Sequence, residues 1–201
     1  LYDNKMKQKD IFLKNESDAW FRRNQHNLNT NNNNSQKILN LIKSKRIKFK
    51  SVLEIGCSNG YNLNEIYKIY RANSFGIDPS RKAIEFGNKK YKNIKLRKGT
   101  ADKILIKRKF DLIIYAFCLY LCDRDDLIKI VYEADRILND NGNIIIYDFY
   151  SRNKYANLYK HHKKIKSHKM DYSKLFLWNP IYKLRYKRIL PYNKNISIRK
   201  D

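Results

Sequence analysis

The sequence predicts a doubly wound α/β fold, with a mostly parallel sheet and helices on both of its faces. Short apolar strands alternate with amphipathic helices between residues 36 and 150, and this alternation is typical of parallel sheets with right-handed crossovers. The turn after the first strand is rich in small residues, as expected where the edge of such a sheet meets a ligand. The chain of 201 residues is long enough for one domain of this kind.

The strands are predicted from short runs of apolar residues that are bounded by polar or turn-forming residues. The runs at 51–55, 74–77, 94–97, 110–117 and 143–149 meet this description. The fourth run is the longest and is typical of a strand buried on both faces. A further strand is expected at 182–190, in the part of the chain where strands and helices no longer alternate regularly.

The helices are predicted from apolar residues at helical spacing and from their end signals. Ser35 caps a helix over 36–45, and a second helix follows the turn at 56–60. Pro79 is suited to the start of the third helix. The amphipathic segment 126–138 forms the last one and ends at the polar turn 139–142. Residues 1–34 have weak periodicity and end in a polar tract, 27–34, that is typical of a loop.

The charge is strongly positive and is concentrated at both ends of the chain. The net charge is +25. Residues 1–50 carry 12 basic and 4 acidic side chains, residues 51–150 carry 17 and 13, and residues 151–201 carry 15 and 2. Basic ends can steer an anionic partner, nucleic acid included. A codon bias towards Lys and Asn explains the same numbers without any partner, and both interpretations stay open.

Several function classes are excluded by what the sequence lacks. The longest apolar run, 112–122, has 11 residues, which is too short to cross a bilayer, so we expect no membrane insertion. The first ten residues lack the apolar core of a signal peptide. Three cysteines, an odd number, do not indicate a disulfide framework, and we expect a cytoplasmic protein with reduced thiols.

The turn after the first strand reads Glu54-Ile-Gly56-Cys57-Ser58-Asn-Gly60. Small residues in such a turn let the backbone approach a ligand closely. The spacing does not match the pyrophosphate-binding G-x-G-x-x-G pattern, and no Gly-Lys-Ser/Thr follows as in a P-loop. The ligand is therefore not expected to be held through phosphates at this turn.

Acidic residues stand at or just after the ends of the first three predicted strands. Glu54 can meet a ligand amine, and Asp78 can accept hydrogen bonds from both hydroxyls of a ribose. Asp102, in the segment Lys98-Gly-Thr-Ala-Asp102, can accept one from an adenine amine. Asp78 could instead be a plain helix cap, and Asp102 could lie on the surface.

Five segments resemble, in their order along the chain, the motifs of class I S-adenosylmethionine-dependent methyltransferases, and in particular of methyltransferases similar to type 11. They are VLEIGCSNGYNL at 52–63, FGIDPS at 75–80, KGTAD at 98–102, FDLII at 110–114 and ADRILNDNGNIIIYDF at 134–149. The resemblance implies a seven-stranded Rossmann-like sheet and S-adenosyl-L-methionine (SAM) as the cofactor, with S-adenosyl-L-homocysteine (SAH) as its product.

The same resemblance implies which residues contact the cofactor. Gly56, Ser58 and Gly60 would pack against its methionine part, Asp78 would hold the ribose, and Ala101 and Asp102 would meet the adenine. Glu54, Cys57 and Phe117 are expected at the same site. Ser58 stands where the family usually has Gly, which a small shift of the loop would accommodate.

A narrower resemblance concerns the acceptor. Trp20, Arg23 and Asn24, together with the segments 117–127 and 170–182, look like a bacterial subgroup linked with surface-carbohydrate and nonulosonic acid biosynthesis. The segment Asn179-Pro180-Ile-Tyr182 resembles a motif of amino-group methyltransferases. That motif directly follows the fourth strand, where this chain reads Tyr115-Ala-Phe-Cys118, so we favour methylation of oxygen.

The candidate bases and acceptor contacts are less well defined. A hydroxyl acceptor needs a nearby base, and the candidates are Tyr120, Asp123, His161, His162 and His168, each of which also has a plain surface or packing explanation. Trp20, Arg23, Asn24 and Tyr120 are candidates for acceptor binding. Trp20 and Trp178 would form either an aromatic lid or part of the core. Cys118 and Cys122 lack the partners of a zinc site, and no metal is expected.

We therefore expect a methyltransferase that acts on a small, anionic or carbohydrate-like acceptor in envelope polysaccharide or nonulosonic acid synthesis. Residues 1–34 would form an N-terminal lid or extension, residues 35–150 the cofactor-binding core, and residues 151–201 a basic acceptor-side segment of the same domain. Two alternatives are an RNA methyltransferase that uses the basic termini and a catalytically silent, cofactor-binding partner subunit. The oligomeric state is left open.

Overall fold

The computed structural model describes residues 6–28 and 33–191. Its centre is a five-stranded sheet in the order β3-β2-β1-β4-β5, and all four strand pairs are parallel. The strands are β1 (Ser51–Ile55), β2 (Asn73–Asp78), β3 (Ile94–Lys98), β4 (Phe110–Ala116) and β5 (Leu138–Tyr147). The strand order reverses between β1 and β4, and their carboxyl ends therefore form a crevice of the kind that binds ligands in doubly wound sheets.

Helices cover both faces of the sheet. They are α1 (Gln8–Ile11), α2 (Ser17–Leu28), α3 (Asn33–Ser44), α4 (Tyr61–Tyr70), α5 (Arg81–Lys90), α6 (Leu127–Ile137) and α7 (Lys174–Leu177). A π-helical turn, Phe12–Glu16, joins α1 to α2. Every helix in the described parts of the chain is too short or too polar to cross a lipid bilayer.

Two apolar clusters hold these layers together, one on each face of the sheet. Val52 of β1 belongs to the cluster that includes α3 and α4. Its neighbour Leu53 belongs to the cluster that includes α6. Successive side chains of a strand point to opposite faces, and both residues are completely buried. The centre of the sheet is therefore buried on both faces, as the apolar sequences of β1 and β4 predict.

Two expectations about the sheet are wrong. The resemblance implies seven strands, but the described residues place five in the sheet. No strand forms over the predicted segment 182–190, since Tyr182 has no regular structure and residues 183–190 are all exposed. A strand needs backbone pairing or a buried face, whereas this segment makes side-chain contacts such as the hydrogen bond from Tyr182 Oη to Asp135 Oδ1 (2.6 Å).

The region after β5 instead contains a small antiparallel hairpin that the sequence did not predict. Its strands are β6 (Tyr155–Leu158) and β7 (Lys166–Lys169), and β7 packs against the 3-10 turn Leu119–Leu121 that follows β4. The prediction of a loop over 27–34 also needs correction: α2 extends to Leu28 and α3 begins at Asn33, while residues 29–32 lie outside the described residues.

Candidate functional site

The turn between β1 and α4 is built from left-handed backbone. Gly56 and Gly60 have φ of +75°, and Ser58 between them has φ of +49°. A Cβ atom at Gly56 would lie 2.5 Å from Cβ of Cys118, so a larger residue does not fit there. Ser58 adopts a conformation that favours glycine, which agrees with the glycine that the family usually has at this position. Its hydroxyl oxygen is buried and has no hydrogen-bond partner among the described residues.

Glu54 lies in β1, one residue before the end of the strand, and is 1% exposed. Its Oε1 accepts a hydrogen bond from Asn62 Nδ2 (2.7 Å), and Ser35 Oγ in turn hydrogen-bonds to Asn62 Oδ1. Its Oε2 is buried without a partner among the described residues. Burial raises the pKa of Glu54 to about 8, and the nearby Asp78 adds to the effect. A buried carboxyl group with one unused oxygen is suited to receiving a cationic amine.

Asp78 ends β2 beside the same turn. Its Oδ2 accepts a hydrogen bond from the N–H of Ser58 (2.8 Å), and its Oδ1 accepts one from the N–H of Ser80 (2.8 Å). Burial raises its pKa to about 6, against the effect of these hydrogen bonds. The cap of α5 is Ser80, whose Oγ accepts from the N–H of Ala83 (3.0 Å), so Asp78 does not serve as that cap.

Asp102 lies at the rim beyond β3, beside the buried Ala101. It is not a free surface carboxylate, because Lys9 Nζ lies 2.5 Å from its Oδ2. The same ammonium group lies 3.1 Å from Oδ2 of the buried Asp126, and Lys7 pairs with Asp126 through the other oxygen (2.9 Å). This ion-pair cluster could not be predicted, since residues 7–9 lack any periodic pattern.

The N-terminal helical segment is tied to the rim at two points. The two carboxylate oxygens of Asp123 accept the N–H groups of Gln8 (3.0 Å) and Lys9 (2.9 Å) at the start of α1. Farther along, Asp18 Oδ1 accepts from the Ser80 hydroxyl (2.7 Å). This segment therefore lies against the carboxyl edge of the sheet.

Four aromatic rings form a wall beyond the ends of β4 and β5. The ring of Phe117 lies 4.8 Å from that of Tyr147 and 5.1 Å from that of Phe149, centroid to centroid. Tyr120 packs edge-on against Phe149 at 4.9 Å. Phe117 has φ of +51°, a strained conformation of the kind that is common at functional sites. All four rings are partly exposed.

Asp148 follows β5 and holds this wall together, although sequence reasoning missed it. Its Oδ2 accepts the N–H groups of Cys118 (3.1 Å) and Leu119 (2.8 Å), and its Oδ1 accepts that of Phe149 (2.7 Å). Burial raises its pKa to about 7. The predicted fifth strand, 143–149, included Asp148, whereas β5 ends at Tyr147 and leaves Asp148 just beyond the strand.

The hairpin brings two of the predicted bases, His161 and His162, to the loop between its strands. His161 is exposed, with its ring 5.4 Å from that of Tyr159. Nδ1 of His162 accepts from the N–H of Lys164 (3.3 Å). His168 lies on β7 and is partly buried, and burial lowers its pKa. Of the three, His168 is on the strand that packs against the turn after β4.

Two of the residues on α2 that were predicted to contact the acceptor, Arg23 and Asn24, make contacts within the N-terminal helical segment. Arg23 pairs with the buried Glu16 (2.5 Å), and Asn24 Nδ2 donates to the carbonyl oxygen of Trp20 (2.8 Å). Trp20 is partly buried, whereas Trp178 is 72% exposed. Trp178 is therefore not part of the core. In the described residues no group of three or more potential metal ligands comes together.

Taken as a site, the carboxyl edge offers a bare backbone turn, a buried carboxyl group with an unused oxygen and a second carboxylate at the end of the next strand. These groups can hold an amine and neighbouring hydroxyls of one elongated ligand. The aromatic wall and the hairpin both lie beyond the end of β4, where β7 packs on the turn Leu119–Leu121. The residues present thus fit the cofactor that the resemblance implies.

Comparisons with known proteins agree with this geometry. Residues 52–142 match the family described as methyltransferase domain, a span of just under half of the chain. None of the curated proteins matches the sequence.

Three solved structures share the fold. The PH0226 protein from Pyrococcus horikoshii OT3 is 21% identical, with 65% of this chain and 66% of that chain covered and a TM-score of 0.55. A SAM-dependent methyltransferase from Clostridium acetobutylicum ATCC 824 is 19% identical (72% and 65% covered, TM-score 0.54). The plantazolicin methyltransferase BpumL, in complex with a monoazolic desmethylPZN analog and SAH, is 21% identical (71% and 58% covered, TM-score 0.57).

The chain spans less than two thirds of the length of each of these three proteins. At such identities the likeness establishes the fold, and it confirms the predicted Rossmann-like doubly wound sheet. Together with the family match it supports a class I SAM-dependent methyltransferase with SAM as its cofactor.

Proposed function

We propose that this protein transfers a methyl group from SAM to a small anionic acceptor, with an oxygen atom of a carbohydrate-like molecule as the favoured target. The observation that carries the proposal is Glu54, whose buried Oε2 has no partner among the described residues beside a left-handed backbone turn. An orphaned buried carboxyl oxygen costs free energy, and a ligand amine would remove that cost.

Three groups of this chain would hold the cofactor. Glu54 would receive the ammonium group of its methionine part. Asp78 would accept hydrogen bonds from the ribose hydroxyls with the lone pairs that the N–H groups of Ser58 and Ser80 leave unused. Asp102, already oriented by Lys9, would accept from the adenine amine. The chemistry that SAM supplies is an activated methyl group on a sulfonium.

The protein's own contribution is to position the acceptor and to take up its proton. Phe117, Tyr120 and Phe149 offer flat apolar surfaces next to the turn. Lys169 lies above the ring of Phe149 at 4.8 Å and that of Tyr155 at 5.6 Å. An ammonium group beside a wall of rings is suited to a ring-shaped acceptor that carries a negative charge.

A hydroxyl acceptor must also lose a proton, and His168 is the base that we favour. Burial lowers its pKa, so its imidazole is neutral and able to accept a proton at pH 7. Both carboxylate oxygens of Asp123 are engaged by backbone N–H groups, which makes Asp123 a weaker candidate. A His168→Gln variant should lose turnover and the acidic limb of the pH profile while it keeps its affinity for SAH.

The first test separates cofactor binding from methyl transfer. Calorimetry should detect binding of SAH, and tritiated SAM should label sugar acids or their nucleotide-linked forms, but not the matched neutral sugars. Replacing Lys169 by Met should raise the KM for an anionic acceptor. Label that enters RNA instead would favour the RNA methyltransferase, and SAH binding without transfer to either class would favour a silent partner subunit. Absence of SAH binding would refute the proposal altogether.

A further inference from the structure

A second concave surface lies at the edge of the sheet opposite the candidate functional site. It is a groove with a volume of about 840 Å³, bounded by the end of α3, the residues that lead into β1 and the turn at 140–142. Lys50 directly precedes β1, and Asp111 is the second residue of β4. The groove is therefore at the amino ends of the strands, whereas Glu54 and Asp78 are at their carboxyl ends.

The walls of this basic groove carry Lys43, Arg46, Lys48 and Lys50. All four side chains are exposed, and none of them forms an ion pair with another residue in the described ranges 6–28 and 33–191. Two acidic residues also line the groove. Asp111 is already engaged by the N–H of Lys50 (2.8 Å) and by Ser51 and Asn139, so its charge is partly satisfied.

The C-terminal segment adds further positive charge beside this groove. Lys45 Nζ lies 4.0 Å from the ring centre of Tyr186, and Arg185 Nη1 lies 3.4 Å from Asn143 Oδ1. Two basic segments that are about 140 residues apart in the sequence thus meet at one edge. A codon bias towards Lys explains many lysines, but it does not explain why these two segments converge.

Aromatic rings accompany the charges. Phe49 and Tyr70 line the groove, with their ring centres 5.1 Å apart, and Tyr186 is 40% exposed at its side. Proteins that bind single strands combine a positively charged groove with rings on which bases stack. An anionic membrane surface would fit less well, because these charges line a concavity.

We propose that the basic groove binds single-stranded RNA. The five residues of β1, at about 3.3 Å per residue, separate the groove from the candidate functional site by roughly 15 Å. RNA in the groove is therefore held away from the turn at 56–60. The groove is a docking surface rather than the acceptor site, and the proposal does not depend on the methyl transfer proposed above.

The test measures binding of a fluorescein-labelled 20-nucleotide oligouridylate by anisotropy at several KCl concentrations. If the four basic side chains each contact a phosphate, the slope of log K against log salt is about −2.8, at −0.7 per contact for single strands. Affinity should then fall about 50-fold between 50 and 200 mM KCl. The triple variant Lys43→Gln, Arg46→Gln, Lys48→Gln should reduce the steepness of that slope by about 2.

The matched control removes the same charge elsewhere. Lys160, Lys163 and Lys164 are exposed near the hairpin loop, and replacing all three by Gln should change the affinity no more than twofold. Circular dichroism and thermal melting establish that both variants are folded. No binding at 50 mM KCl, an equal loss in both variants, or a loss in the control alone would overturn the proposal. So would binding to phosphatidylserine vesicles without binding to the oligonucleotide.

Discussion

Binding of SAH at pH 7 should release close to one proton for each molecule bound, and the source of that proton is Glu54. The pKa of Glu54 is raised to about 8 by its burial, so about 0.9 of the molecules carry a protonated Glu54 at pH 7. An ammonium group brought against the unused Oε2 favours the ionised carboxylate. The proton must then leave as the ligand binds.

The measurement is calorimetry of SAH binding in buffers with different enthalpies of ionisation. The slope of the observed enthalpy against the ionisation enthalpy of the buffer counts the protons exchanged. We expect about 0.9 released at pH 7 and about 0.5 at pH 8, where half of the Glu54 side chains are already ionised. Asp78, whose pKa is about 6, adds no more than about 0.1 at pH 7.

The Glu54→Gln variant is the control, because the amide has the same shape and cannot titrate. It should bind SAH more weakly and release almost no proton. The variant should also be the more stable protein at alkaline pH. Ionisation of the buried carboxyl group destabilises the native state as the pH rises from 4.5 to about 8, by a total on the order of a few kcal/mol. Equal proton release by the two proteins would refute this role for Glu54.

The remaining predictions concern three other groups at the same edge. Asp78→Ala should weaken SAH binding by about 1.5–3 kcal/mol, the scale of hydrogen bonds to charged groups, and an unchanged dissociation constant in calorimetry would contradict the ribose assignment. Lys9→Met leaves Asp102 without its partner and should lower the free energy of unfolding in urea by about 1–3 kcal/mol, whereas an unaltered midpoint would show that the ion pair contributes nothing. Asp148→Ala should lower the free energy of unfolding by about 1–2 kcal/mol, as loss of a helix cap does. The variant should also exchange the amide hydrogen of Leu119 faster, and exchange as slow as in the wild type would count against the role of this carboxylate.

Local patterns in the sequence were sufficient for the central sheet. β1 agrees with its predicted bounds at both ends, β3 and β4 differ by one residue at one end, and β2 is one residue longer at each end. β1 and β4 are apolar runs that are buried on both faces, so their signal is strong. β3, at the edge of the sheet, alternates buried and exposed residues. The bounds of β5 are less accurate, because its first residues pair irregularly with β4.

Part of the candidate site could also be predicted from the sequence. Glu54, Asp78 and the turn at 56–60 are consecutive features of strand ends, and the parallel topology alone places such ends at one edge. Asp148 was missed because the predicted fifth strand ran to residue 149, past the observed end of β5 at Tyr147. The burial of these carboxyl groups, and hence their raised pKa values, required the packed structure, because desolvation depends on all the atoms that surround a group.

Other features were decided only by tertiary contacts. The pairing of Lys9 with Asp102 joins residues 93 positions apart, and the approach of Lys45 to Tyr186 joins residues still farther apart. No local pattern encodes such contacts, because neither side chain changes the periodicity of its own segment. The sequence by itself thus determined the sheet and the acidic strand ends that meet at its edge. The fold as a whole decided which cations lie against those carboxylates and where the two basic segments converge.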